Sequence, residues 1–186
     1  TLSENYGQCT HLIMFGQSLA EKHCLTFADK ALQPAGRMPP KSKAEVLSDL
    51  GMACFKKGDT AKSIGFFEQS LKLAEEDTSN PLVVTLLLNM GVAHTVQGDM
   101  AASLQSLERA LTLQERELGA EHVDLIGTLQ NLTVVSSKLG ETEKAVKYMQ
   151  RAGEIEGGAK LRAKVQQLEA EKAQEGPRIT EVTDAA

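Results

Sequence analysis

The sequence predicts an all-α chain of stacked helical hairpins, and three observations predict it. One phrase recurs three times: Leu50-Gly51-Met52-Ala53-Cys54-Phe55-Lys56-Lys57-Gly58-Asp59, then Met90 to Asp99, then Leu132 to Glu141. The register extends beyond the phrase, because Phe67, Leu107 and Met149 stand 40 and 42 residues apart, as do Leu73, Leu113 and Ile155. Within each unit the apolar residues keep helical spacing on both sides of a Gly-Asp or Gly-Glu step. A period of this length means repeated supersecondary units, each burying one face against the next.

In the first unit Leu47, Leu50, Gly51 and Cys54 mark one helix and Ile64, Phe67, Ser70, Leu71 and Leu73 the other. Glycine tolerates the left-handed conformation that ends a helix, and the carboxylate after it accepts orphan N–H groups of the next first turn. Small residues recur where paired helices must approach: Gly51 and Ser63, Gly91 and Ser103, Thr133 and Ala145. The three hairpins are expected over residues 42–77, 81–118 and 122–155.

Taken in order, residues 1–36 read as a degenerate helix pair, with Leu12, Ile13, Phe15 and Leu19 on one face and Leu25, Phe27, Ala28, Ala31 and Leu32 on a second. Arg37-Met38-Pro39-Pro40 reads as a break, and Ser42 to Glu45 has the spacing of a capping box that opens the first regular helix. Asn80-Pro81 pairs an N-cap with a first-turn proline and opens the second unit. Gly157-Gly158 is expected to end the array. After it, Leu161, Val165 and Leu168 in a charged run predict an amphipathic capping helix over 158–175, followed by a flexible tail over 176–186.

The Leu-Gly, Gly-Asp, Ala, Phe and Ala-Leu pattern across residues 42–155 resembles the tetratricopeptide repeat. Ser70, Ala110 and Ala152 occupy its late small-residue site. Two departures stand out: no Trp opens a repeat, and Cys54, His94 and Ser136 replace the usual tyrosine. The units exceed the usual 34 residues. The passage from Leu107 through His122 to Leu132 is similar to the long repeats of kinesin light chains. The resemblance implies a right-handed α-solenoid whose first helices line a concave groove for polypeptide. On that basis the candidate contacts are Glu45, Asp49, Met52 and Lys56, then Thr85, Leu88, Asn89 and Val92, then Thr128, Asn131, Val134 and Lys138. Asn89 and Asn131 hold equivalent places, where an amide offers a donor and an acceptor to an extended backbone; the alternative is that they bond between neighbouring helices and hold the stack. Co-chaperone relatives grip a terminal carboxylate with cationic side chains, but the corresponding places here hold Ser48, Met52, Asn89, Thr128 and Asn131. No chaperone-tail clamp is expected.

Composition narrows the function classes. A net charge of −5, with basic residues scattered among acids, argues against a nucleic-acid grip. Apolar runs such as Val83 to Leu88 are too short to span a membrane. Three cysteines, Cys9, Cys24 and Cys54, form no disulfide framework, which favours a cytoplasmic location. A mitochondrial location stays open, because the chain begins at Thr1 and a targeting segment would already be missing. Cys9, His11, His23 and Cys24 could supply tetrahedral ligands, yet their spacing matches no compact zinc motif, and a structural role is preferred. His94 shares its register with Cys54 and Ser136 and reads as a packing residue. No phosphate loop, nucleophile elbow or paired-acid motif occurs. The expected function is therefore a non-catalytic adaptor or scaffold without cofactor or metal, binding a partner protein or peptide. The alternative is a permanent subunit or assembly factor of a larger complex.

Overall fold

The computed structural model describes residues 40–77 and 80–175. Six helices follow one another: α1 (Pro40–Lys56), α2 (Thr60–Ala74), α3 (Leu82–Gln97), α4 (Met100–Leu118), α5 (Leu125–Lys138) and α6 (Thr142–Glu175). The expected helix pair over 1–36 and the tail over 176–186 lie outside the described residues.

The repeated phrase folds the same way three times. Gly58, Gly98 and Gly140 take left-handed φ values of 82°, 91° and 79°, a conformation that costs other L-residues steric strain. This lets the next N–H turn back: Asp59, Asp99 and Glu141 donate to the carbonyls of Cys54, His94 and Ser136 at 3.0, 3.0 and 2.9 Å. Carboxylates of Asp59 and Asp99 then cap α2 and α4 by accepting the Lys62 and Ala102 N–H groups at 3.4 and 3.0 Å. In the third unit, Glu141 accepts the Ala145 N–H on its carbonyl and pairs its carboxylate with Lys144 at 2.8 Å.

Four boundaries differ from expectation. Pro40 opens α1 instead of breaking the chain before it, since proline's fixed φ and missing N–H suit a first turn; Ser42 therefore lies inside the helix. The helix α3 begins at Leu82, with Pro81 instead of Asn80 as its N-cap residue and no side-chain bond from that position; the Asn80 Oδ1 still accepts the Leu82 N–H at 3.0 Å from one residue further out. Gly119 closes α4, and successive turns bond the His122 N–H to Gly119 and the Leu125 N–H to His122, which delays α5 to Leu125. The largest difference is α6, which runs unbroken for 34 residues through Gly157-Gly158. Two helical glycines cost about 0.5–1 kcal/mol each, but they are followed by a run of Ala, Lys, Leu, Arg, Gln and Glu, all good helix formers. The third hairpin and the expected cap are one helix, and its outer half does not cover the end of the stack: Leu161 and Val165 are 66% and 45% exposed.

The core runs between units as well as within them. One cluster joins Ile64, Phe67, Leu71 and Ala74 of α2 to Leu86, Leu87 and Met90 of α3; the next joins Leu107 and Leu111 of α4 to Leu125, Leu129 and Leu132 of α5 and to Ala152 and Ile155 of α6. Buried hydroxyls cross between paired helices: Ser70 donates to the Ala44 carbonyl at 2.6 Å and Ser103 to the Gly91 carbonyl at 2.7 Å. Close approach is what makes Gly51 and Gly91 necessary. A Cβ on Gly51 would lie 2.5 Å from the Phe67 ring, and one on Gly91 would lie 2.6 Å from Leu107.

Candidate functional site

Curvature decides which surface is the candidate. The backbone of α1 approaches α3 and that of α3 approaches α5, whereas α2 and α4, like α4 and α6, stay apart. The odd-numbered helices are thus the inner wall. Among the described residues, long side chains span the outer gaps: Arg109 pairs with Glu75, Arg151 pairs with Glu115, and the Tyr148 hydroxyl donates to Glu108 at 3.1 Å.

On the inner wall the exposed positions fall into four rungs. Constant repeat register gives Glu45, Thr85 and Gly127; Asp49, Asn89 and Asn131; Met52, Val92 and Val134; and Lys56, Val96 and Lys138. Within each helix the rungs follow steps of three or four residues, which keeps them on one face. Eleven of the twelve candidate contacts, Leu88 beside the rungs included, are half-buried or exposed. The exception is Thr128, which is 2% exposed and donates its hydroxyl to Gln114 at 2.6 Å inside the α4–α5 interface. Its register partners Val46 and Leu86 are both 0% exposed, so it belongs to the core column. The open position is Gly127, one residue earlier. Val96, 63% exposed, is the other rung residue that the candidate set lacks. Strict register would have found both.

The face has a chemical gradient. Glu45 and Asp49 stand at one end and Lys56 and Lys138 at the other, with amides and valines between. Partial desolvation on the inner wall, reinforced by the Glu45 carboxylate, raises the Asp49 pKa above 3.8. A raised folded-state pKa means the contribution favouring the fold is complete below that value and is lost as pH rises through it. Both causes disfavour the charged form of Asp49, and a cation placed beside it would oppose them. The three valines are exposed β-branched residues on helices, where they lose side-chain freedom and show apolar surface to water.

Other features compete poorly as sites. A pocket of about 240 Å³ lies between the α2–α3 connection and α4, lined by Glu75, Asn80, Val83 and Arg109 among others; a second, of about 500 Å³, lies between the α4–α5 connection and α6. Arginines in the second are already engaged, Arg151 with Glu115 and the Ala120 carbonyl, and Arg162 with Glu121. Among the described residues, no group of three His, Cys, Asp or Glu side chains could hold a metal ion, and no helix is long and apolar enough to cross a membrane. Cys9, His11, His23 and Cys24 lie outside those residues. His94 is half-buried, while its register partners Cys54 and Ser136 are 1% and 0% exposed.

Tetratricopeptide-repeat profiles match residues 44–77 and 82–155, which together take in all three hairpins. The chain belongs to the tetratricopeptide-repeat family. Among solved structures it is similar to the nearly identical repeats of a kinesin light chain from Podosopora anserina. The Q17M form of that protein superposes with a TM-score of 0.67 at 13% identity, over 86% of this chain and 76% of that one. The form without that substitution gives 0.66 at 14% identity, over 85% and 76%. MamA superposes with a TM-score of 0.59 at 18% identity, over 81% of this chain and 80% of MamA. At these identities the likeness is one of fold. No curated protein matches the sequence. Tetratricopeptide arrays serve generally in protein–protein interaction and scaffolding.

Proposed function

We propose that the inner wall of the array is an adaptor surface that takes an extended polypeptide segment of a partner protein. The observation that carries the reading is the Asp49, Asn89 and Asn131 rung, accessible and flanked by the apolar rung of Met52, Val92 and Val134. Amides can donate to and accept from an extended backbone at regular intervals, while an apolar rung beside them receives alternate side chains. The acidic end favours a ligand with a basic residue near Asp49, whose carboxylate gains most from a neighbouring cation. Glu45, Lys56, Thr85, Leu88 and Lys138 complete the contact set as specificity positions.

A peptide-display selection on the full chain tests this. Selected peptides are expected to lose at least about tenfold in affinity, or about 1.4 kcal/mol, to an Asn89→Ala, Asn131→Ala double variant whose helicity and melting temperature match the parent. Unchanged affinity would place binding elsewhere. A lower melting temperature with unchanged affinity would assign the two amides to holding the stack.

A further inference from the structure

Asn89 and Asn131 are half-buried on the inner wall, yet among the described residues no hydrogen bond engages either side-chain amide. They do not tie one inner helix to the next. Partly desolvated amides that bond to nothing raise the free energy of the empty wall, and a ligand that pairs them removes that penalty. Their spacing selects the ligand's conformation. Neighbouring packed helices lie about 10 Å apart, so the Asp49, Asn89 and Asn131 places recur at about that interval along the groove. A β-strand advances about 3.3 Å per residue and reverses its face at every step, so three residues on it turns the wrong side to the next helix. A polyproline II helix has three residues per turn and advances about 9 Å in each, which returns the same face to every inner helix. Its backbone makes no internal hydrogen bonds, so its N–H and C=O groups are free for the amides.

We infer that the inner wall binds its polypeptide ligand in the polyproline II conformation, with one contact residue in every three. This rests on the adaptor reading and fixes its register: the side chains that reach the rung of Met52, Val92 and Val134 are every third along the ligand. A basic residue meets Asp49, and its methylene stem covers the half-buried Met52. Apolar residues three and six positions away meet Val92 and Val134, which are 37% and 51% exposed. Prolines suit the positions between, where they hold the ligand's φ near its bound value. They do not suit the contact positions, where the amides need an N–H.

Synthetic peptides with one arginine and two leucines, separated at each step by one, two or three residues of proline and alanine, test the register by calorimetry on the full chain. The two-residue spacing is expected to bind at least about tenfold more tightly than either alternative. It should lose that preference in the Asn89→Ala, Asn131→Ala variant. N-methylating its two leucines, which removes their N–H groups, should weaken binding to the parent severalfold and leave binding to the variant unmoved. Equal affinity at the three spacings, or a preference for one or three, overturns the polyproline II register. If the paired asparagine change still weakens those peptides, the adaptor reading stands without it. If none of the three binds while display selects peptides of another pattern, the register again falls alone. If display selects none either, both fall.

Discussion

The second and third hairpins share a register and part ways at one pair of positions. In the second, Gly91 leaves room for Leu107, which is 0% exposed; in the third, Thr133 stands where the glycine was, and Met149 in the equivalent place is 57% exposed. The change continues along the same face. Leu71 and Leu111 are buried on the side that receives the following hairpin, while Gly153 takes that place in α6; Ala74 and Gln114 give way to Glu156. A repeat with a successor must offer an apolar onward face, and one that ends a stack does better with a small or charged one. The third hairpin offers the less apolar onward face of the two.

Truncating the two equivalent side chains tests this most severely. Leu107→Ala should cost about 2–5 kcal/mol, as expected for a fully buried leucine, whereas Met149→Ala should cost less than about 1 kcal/mol. Urea denaturation of both variants reads the contrast, and equal losses would break it. The glycine comparison comes next. Gly91→Ala forces a methyl group into Leu107 and should destabilise by about 1–3 kcal/mol. Thr133→Ala should stay within about 1 kcal/mol, because it exchanges a hydroxyl bond to the Leu129 carbonyl for better helix propensity. Smallest is Tyr148, which ties the third hairpin to the second. Partial burial and the hydrogen bond to Glu108 push its pKa up to about 12 from 10.0. The fold therefore favours the neutral phenol: its contribution is complete below pH 10 and is lost as pH rises towards 12. Tyr148→Phe should lower stability by about 0.5–1.5 kcal/mol at neutral pH and remove the latest phenolate absorbance in an alkaline titration.

Repetition made most of this legible. Three Gly-acid steps located every interhelical turn within a hairpin, and the Phe67, Leu107 and Met149 column identified the equivalent helix faces, although burial at the third place depends on what the opposite helix carries. Connections between hairpins were less legible, because Gly119 to Asp124 forms successive turns that no single residue announces. Gly157-Gly158 misled because local breaker propensity was set against one dipeptide instead of the helix-forming run behind it. Thr128 misled by a single step of register, and on a helix one step is about 100° of rotation. That is the difference between the inner wall and the core.

The polar ties across the back of the stack have a mechanical consequence. Apolar packing fixes each helix to its sequence neighbour, and α2, α4 and α6 are tied to one another in addition through Arg109 and Glu75, Tyr148 and Glu108, and Arg151 and Glu115. Half-exposed charges of this kind are weak and screened by salt. Raising the ionic strength should therefore loosen these ties before anything in the core gives way, and small-angle scattering of the full chain at low and high salt would read the loosening as a change in its dimensions.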